Sequence, residues 1–352
     1  LDEAGACFRQ AIKLQPDYTE AHFNMGNTLK TLGNLEEAEA SLRRAIALKS
    51  DYVRAHNNLG NLLQELGKLD EAEASYKQAI KLKPDYAEAH NNLGNTLKEL
   101  HRLGEAEASY TQAINLKPIY AEAHNNLGVT LQSLGRLDEA EASLRQALVL
   151  EPEFAEVHGN LGLTLNAMGK RNSASQHFEK NLQLERGTNA VNMGFESFGK
   201  ISNAKIEHDI EQFDYLAALG YDVKKFQKLS TLYKSVKSEI NYPSDTDVFI
   251  LSDKHKCLLR ETHNRPIHIL SAPELDEPTL GNNHDIDKIT EDYFSHEFGL
   301  TYFDKFLSEN ALKCLQEFLL RSTIWFDFFH EGGYIGAYLK DGLASPFILQ
   351  IA

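Results

Sequence analysis

Cysteine is scarce. Three occur in 352 residues, Cys7, Cys257 and Cys314, too far apart for a metal-type motif. They read as reduced thiols, as expected of a cytoplasmic protein. Long apolar runs are also missing. No stretch reaches the roughly 18 residues a membrane span needs, so no membrane role is expected. The first residues, Leu1-Asp2-Glu3-Ala4, lack the basic segment and apolar core of a signal peptide. Positive charge is in deficit, with a formal net charge of -15. An acidic chain repels phosphate backbones, and no local basic run compensates, so nucleic acid is not expected as a partner. Position 1 is leucine rather than methionine, which reads as a chain starting inside a longer product.

What the chain does have is a 34-residue period. Gly26, Gly60, Gly94, Gly128 and Gly162 fall in register, as do Ala38, Ala72, Ala106, Ala140 and Ala174. Pro84, Pro118 and Pro152 close three units, and Ser50 stands in for proline in another. Small residues at fixed positions mean that paired helices approach closely there. Each unit reads as two helices, for example 89–100 and 104–117, with a glycine such as Gly67 or Gly135 turning the chain between them. His101 replaces that glycine once, so its turn should differ.

On these residues the first half resembles the tetratricopeptide-repeat family. The resemblance implies a right-handed superhelix over 1–186, made of one lone second helix (2–15) and five full repeats. The lone helix leaves Phe8 and Ile12 on a face expected to be exposed and to self-associate. The array fades at Asn181 and Arg186, where alanine and proline are due.

Stacked first helices line the concave face in that family. One position there is asparagine in all five repeats: Asn24, Asn58, Asn92, Asn126 and Asn160. One turn on, Asn27, Asn61 and Asn95 share the face, and Val129 and Leu163 break that second row. An amide offers donors and an acceptor, so it can pair with a peptide N–H and C=O whatever the side chains. The row resembles the asparagine ladder of O-linked N-acetylglucosamine transferases, which grips extended backbone. The alternative reading is a row that only caps or solvates the inner helices. A parallel row, His22, His56, His90, His124 and His158, reads as packing between helices: successive repeats lie roughly 10 Å apart, too far for shared metal ligands.

After Arg186 the composition shifts. A helical cap or linker is expected over 187–243, with amphipathic helices near 204–219 and 223–240. Short apolar runs at 248–251 and 267–270 read as strands, and Ser308 as the cap of a helix reaching about 322. The segments Phe303-Asp304-Lys305-Phe306-Leu307-Ser308, Ser322-Thr323-Ile324-Trp325-Phe326-Asp327 and Gly332-Gly333-Tyr334-Ile335-Gly336-Ala337-Tyr338-Leu339 resemble the entry to a bacterial 2-oxoglutarate/iron(II) oxygenase domain. That resemblance implies an incomplete α+β domain over 244–352, part of a double-stranded β-helix.

Such enzymes hold iron with a His-x-Asp pair and a distant histidine. No His-x-Asp occurs in this chain, and His284-Asp285 and His208-Asp209 have the wrong spacing. His177-Phe178-Glu179 has a usable spacing but lies on a repeat helix, where it reads as a solvated face. No catalytic or metal residue is therefore assigned. The chain alone is expected to be inactive and without a cofactor; iron(II) and 2-oxoglutarate would belong to a longer protein. The leading expectation is a module binding a protein or extended peptide. The alternative is the substrate-recruiting front of a protein hydroxylase. A glycosyltransferase is disfavoured because no sugar-nucleotide motif is present.

Overall fold

The computed structural model describes residues 2–187, 198–240, 248–265, 267–268, 275–276 and 307–323. The chain divides into two compact units, 1–152 and 153–352. Among the described residues it is mainly helical, with one small sheet.

The first unit runs α1 (Asp2–Leu14), α2 (Thr19–Thr31), α3 (Leu35–Leu48), α4 (Val53–Glu65), α5 (Leu69–Leu82), α6 (Ala87–Glu99), α7 (Leu103–Leu116), α8 (Ala121–Ser133) and α9 (Leu137–Leu150). The helices pack as α2 with α3, α4 with α5, α6 with α7 and α8 with α9, and each second helix also packs on the next first helix. A glycine sets the closeness of each pair. A Cβ built on Gly60 or Gly94 would lie 2.6 Å from the ring of Tyr76 or Tyr110. On Gly26 and Gly128 it would lie 2.7 and 2.6 Å from Leu42 and Leu144. Ala38, Ala72, Ala106 and Ala140 are fully buried opposite them.

Each pair turns through a left-handed residue. Gly33, Gly67 and Gly135 have φ of +80, +71 and +75°, and His101 follows them at +59°. The turns end the helices with the same reverse bonds: Asn34 N–H to Leu29 O at 2.9 Å, Lys68 to Leu63 at 2.8 Å, Arg102 to Leu97 at 2.8 Å and Arg136 to Leu131 at 3.0 Å. The expected difference at His101 is thus strain, not shape. A left-handed residue with a Cβ costs about 1 kcal/mol, and glycine's freedom in the unfolded chain returns part of that. His101→Gly should stabilise the unit by about 0.5 kcal/mol, read as a higher urea midpoint. A lower midpoint would mean that the histidine ring contributes more than its backbone costs.

Phe8 and Ile12 of α1 are half-buried against the core of the first unit. They do not form the bare apolar face expected of a lone helix, because α2 covers them. The charged second helices also do more than face water. Lys68 meets Glu39 at 2.8 Å, Arg102 meets Glu73 at 2.7 Å and Arg136 meets Glu107 at 2.8 Å, each linking one repeat to the one before. At this exposure water screens such pairs, and they fix register more than they add stability.

The second unit contains α10 (Ala155–Ala167), α11 (Arg171–Arg186), β1 (Lys200–Ser202), α12 (Asn203–Ala218), α13 (Val223–Glu239), β2 (Val248–Ile250), α14 (Asp253–Leu259) and α15 (Glu309–Arg321). The α10–α11 pair keeps the repeat pattern, with Gly162 against Phe178 and Gly169 at φ +74°. β1 and β2 are antiparallel, with Ile201 opposite Phe249. Helices α12 and α13 share a core of Ile206, Phe213, Phe226, Tyr233 and Val236 with Ile201 and Leu259. Ser202, Ser252 and Ser308 cap α12, α14 and α15 through their side chains.

The expected strand at 267–270 is not found in its described part. Ile267 and His268 are irregular and give their N–H groups to Thr323 Oγ1, both at 2.8 Å. Residues 269 and 270 lie outside the described residues, as do 287–295, whose sequence reads as a helix, and 300–306, 325–328 and 334–339, whose sequences read as strands.

Candidate peptide-binding row

The asparagine row sits on the first helix of each pair. Within the first unit these helices are α2, α4, α6 and α8, and each touches the next. Asn24 is exposed, and Asn58, Asn92 and Asn126 are half-buried, as are Asn27, Asn61 and Asn95. Asn160, on α10 in the second unit, is also half-buried.

The amides are not all idle. Asn58 Nδ2 donates to Asn27 Oδ1 at 2.8 Å, and Asn92 Nδ2 to Asn61 Oδ1 at 3.0 Å and Asn57 Oδ1 at 3.2 Å. Asn126 Nδ2 donates to Asn91 Oδ1 at 3.1 Å. From the other side, the buried hydroxyls of Tyr76 and Tyr110 donate to Asn61 Oδ1 at 2.6 Å and Asn95 Oδ1 at 2.7 Å. Burial pushes both phenols well above their ordinary pKa, so they remain donors. The row is therefore a stitched seam, and Asn92, with both N–H groups taken, has no donor left for a peptide C=O. Asn92 has given both its N–H groups to the previous repeat and Asn58 and Asn126 one of their two, and each keeps acceptor capacity at Oδ1, which at Asn58 also meets Asn57 Nδ2 at 3.5 Å. Asn61 and Asn95 have committed Oδ1 and keep Nδ2 as a donor. The repeats of Asn58 with Asn61 and of Asn92 with Asn95 thus each offer one acceptor and one donor, a helical turn apart.

The sequence reading missed the neighbours that hold this seam. Asn57 and Asn91 are buried at 5% and 0% exposure. Asn91 also reaches Glu122 Oε1 at 3.1 Å. The signal was the Asn-Asn doublet at 57–58, 91–92 and 125–126.

The histidine row is structural. The Nε2 of His22, His56, His90 and His124 donates to the carbonyl six residues back, at 2.9, 2.9, 3.1 and 3.3 Å. Each ring thereby ties a first helix to the chain entering it. Burial lowers the pKa of His124, outweighing the opposite pull of the Pro118 carbonyl, so it is neutral at pH 7. The Nδ1 of His158 lies 2.9 Å from His177 Nδ1. His177 is thus turned toward α10, Phe178 is core, and Glu179 is exposed. Among the described residues no group of three or more His, Cys, Asp or Glu is placed to hold a metal ion. No helix among them is long and apolar enough to cross a membrane.

Family models for the TPR repeat match residues 1–33, 26–67, 60–101 and 97–135, and the tetratricopeptide repeat model matches 121–154. Residues 1–154 are tetratricopeptide repeats. The close glycines, the left-handed turns and the asparagine row of the first unit are therefore features of tetratricopeptide helix pairs. The matched residues end at 154 and give no support to an oxygenase domain. Most of the residues that carried that resemblance lie outside the described ones.

Comparison with curated proteins finds no match. Among solved structures, MamA is similar at 25% identity over 46% of this chain and 94% of its own, with a TM-score of 0.43. YrrB, a TPR protein with an unusual peptide-binding site, is similar at 24% identity over 51% and 92%, with a TM-score of 0.43. A thermophilic TPR protein of Thermus thermophilus is similar at 26% identity over 47% and 90%, with a TM-score of 0.41. Likenesses at these TM-scores lend no weight to any particular function.

Proposed function

We propose that the tetratricopeptide repeats hold an extended segment of a partner protein along the asparagine row. The observation that carries this is a repeated pair of groups, an Oδ1 acceptor at 92 and one at 58 that takes only a 3.5 Å bond from Asn57, beside an Nδ2 donor at 61 and 95. Adjacent helices lie about 10 Å apart, which three residues of extended chain span. One acceptor and one donor per repeat then meet one N–H and one C=O of the segment at regular intervals. Such contacts read backbone rather than side chains, so the row selects extended conformation first.

The seam changes what mutation should do. Asn24 is exposed and its amide has no hydrogen-bond partner among the described residues, so Asn24→Ala should leave stability unchanged. Asn92→Ala removes two inter-repeat bonds and should cost about 1 kcal/mol of stability. Peptides selected from a random library against the full chain supply the probe. Asn58→Ala with Asn92→Ala should weaken them about tenfold. Substituting esters for the peptide's amides should do the same, and an alanine scan of its side chains should do less. Affinity that tracks only the peptide's side chains, or survives the asparagine substitutions, would defeat the reading.

A further inference from the structure

The second unit contains a cleft of about 570 Å³, bounded by the end of α11, one face of α13 and the chain from α14 to Ile267. That volume suits a small organic ligand. Its lining is unlike the rest of this acidic chain. Arg186, Lys225, Lys228, Arg260 and Arg265 face it, against a single carboxylate, Glu261.

Several basic side chains on the repeats are spent on carboxylates, as Arg43, Lys68, Arg102 and Arg136 are. In the cleft Lys225, Lys228 and Arg260 are not, among the described residues. Lys228 and Arg260 are exposed and have no ion pair among the described residues. Among the described residues the Lys225 ammonium reaches the Ile267 carbonyl, at 3.5 Å, and lies over the Phe226 ring. Arg265 is 4% exposed, and its guanidinium donates to the carbonyls of Arg260 at 2.7 Å, Arg186 at 3.0 Å and Gly187. That buried charge is fixed in place and cannot swing into solvent. The cleft also has an apolar wall: Leu229 is buried, Leu232 half-buried and Leu258 45% exposed.

Like charges gathered around one opening repel each other, and a dianion or trianion relieves that repulsion. We propose that this cleft binds a small organic phosphate with at least two phosphate groups. Lys228, Arg260 and Lys225 take the phosphates, and the leucine wall takes the organic body. Arg265 sets the potential from beneath. The site is separate from the asparagine row and does not depend on the peptide reading.

The test is calorimetric titration of the full chain with ADP, with inorganic pyrophosphate and with adenosine, at low and at high salt. ADP should bind one to one and more tightly than pyrophosphate, adenosine should not bind measurably, and salt should weaken both anions. Lys228→Glu with Arg260→Glu should lower ADP affinity about tenfold or more. Both side chains are exposed and without ion-pair partners among the described residues, so the melting temperature without ligand should not change. Lys13→Glu with Lys81→Glu makes the same change in net charge far away in sequence and should have no effect. Absence of saturable binding by either anion, or equal losses in the two double variants, would overturn the site. Equal affinity for ADP and pyrophosphate would overturn the role given to the leucine wall. Tighter binding of a single-stranded oligonucleotide than of ADP would overturn the small-molecule assignment.

Discussion

Gly94→Ala should destabilise the repeats by about 2 kcal/mol, although alanine is the better helix former. The new methyl would lie 2.6, 2.7 and 2.8 Å from three atoms of the Tyr110 ring, where carbon atoms rest at about 3.5 to 4 Å. The ring has no room to retreat. It is fully buried, and its hydroxyl is held by Asn95 Oδ1 at 2.7 Å. Overpacking of this kind costs about 3 kcal/mol at its upper end, and the helix propensity of alanine returns about 1 kcal/mol. Gly104, on α7, is the control, because a Cβ there meets nothing within 4 Å. Gly104→Ala should raise stability by about 0.5 kcal/mol. Opposite shifts of the urea midpoint would confirm that contact, not chain freedom, decides the first position. Two upward shifts would show that α6 and α7 can separate at little cost. Because each repeat contacts only its neighbours, the damage at Gly94 should also broaden the transition.

Much of this architecture was open to reading in the chain itself. The glycines and alanines at a 34-residue period placed the helix pairs to within about two residues: 89–100 was expected where α6 spans Ala87–Glu99, and 104–117 where α7 spans Leu103–Leu116. Helices α12 and α13 were visible from their apolar spacing, and α15 from its serine cap. What stayed hidden has a common cause. Spacing says which face of a helix a residue shares, but not what that face meets. The amides at 58 and 92 were placed on the right helices, yet their bonds to Asn27 and Asn61 join residues 31 apart and have no local signature. The carbonyl partners of His22, His56, His90 and His124 lie only six residues back, but the apolar spacing does not show which way a ring turns. Helix α14 has only seven residues, too few for a period to show. The cationic cleft draws on residues 186, 225–232 and 257–267, so no run of the sequence is basic enough to announce it.

Asp209→Ala should be the most damaging single change in the second unit, at about 4 kcal/mol. Asp209 and Lys205 form an ion pair one helical turn apart on α12 and are 6% and 3% exposed. In the sequence they look like an ordinary surface pair; in the fold they face inward beside Gln212, which bonds the Ser322 carbonyl at 2.5 Å. Removing the carboxylate strands the Lys205 ammonium in the interior, where it keeps the desolvation cost and loses its counter-charge. Replacing both, as in Lys205→Met with Asp209→Leu, removes that cost and should restore most of the loss. The pair also sets a pH dependence. Burial pushes the Asp209 carboxyl up, but Lys205 and His208 outweigh it, so its pKa lies below the ordinary 3.8. Its contribution is then complete above the unfolded value of about 3.9 and is lost as the pH falls through the folded value. The wild-type second unit should therefore lose stability below about pH 4 more steeply than the double variant. Parallel acid titrations, followed by the fluorescence of Trp325, would test this. Identical acid limbs, or a double variant as unstable as Asp209→Ala, would mean that the pair is not what holds α12 in place.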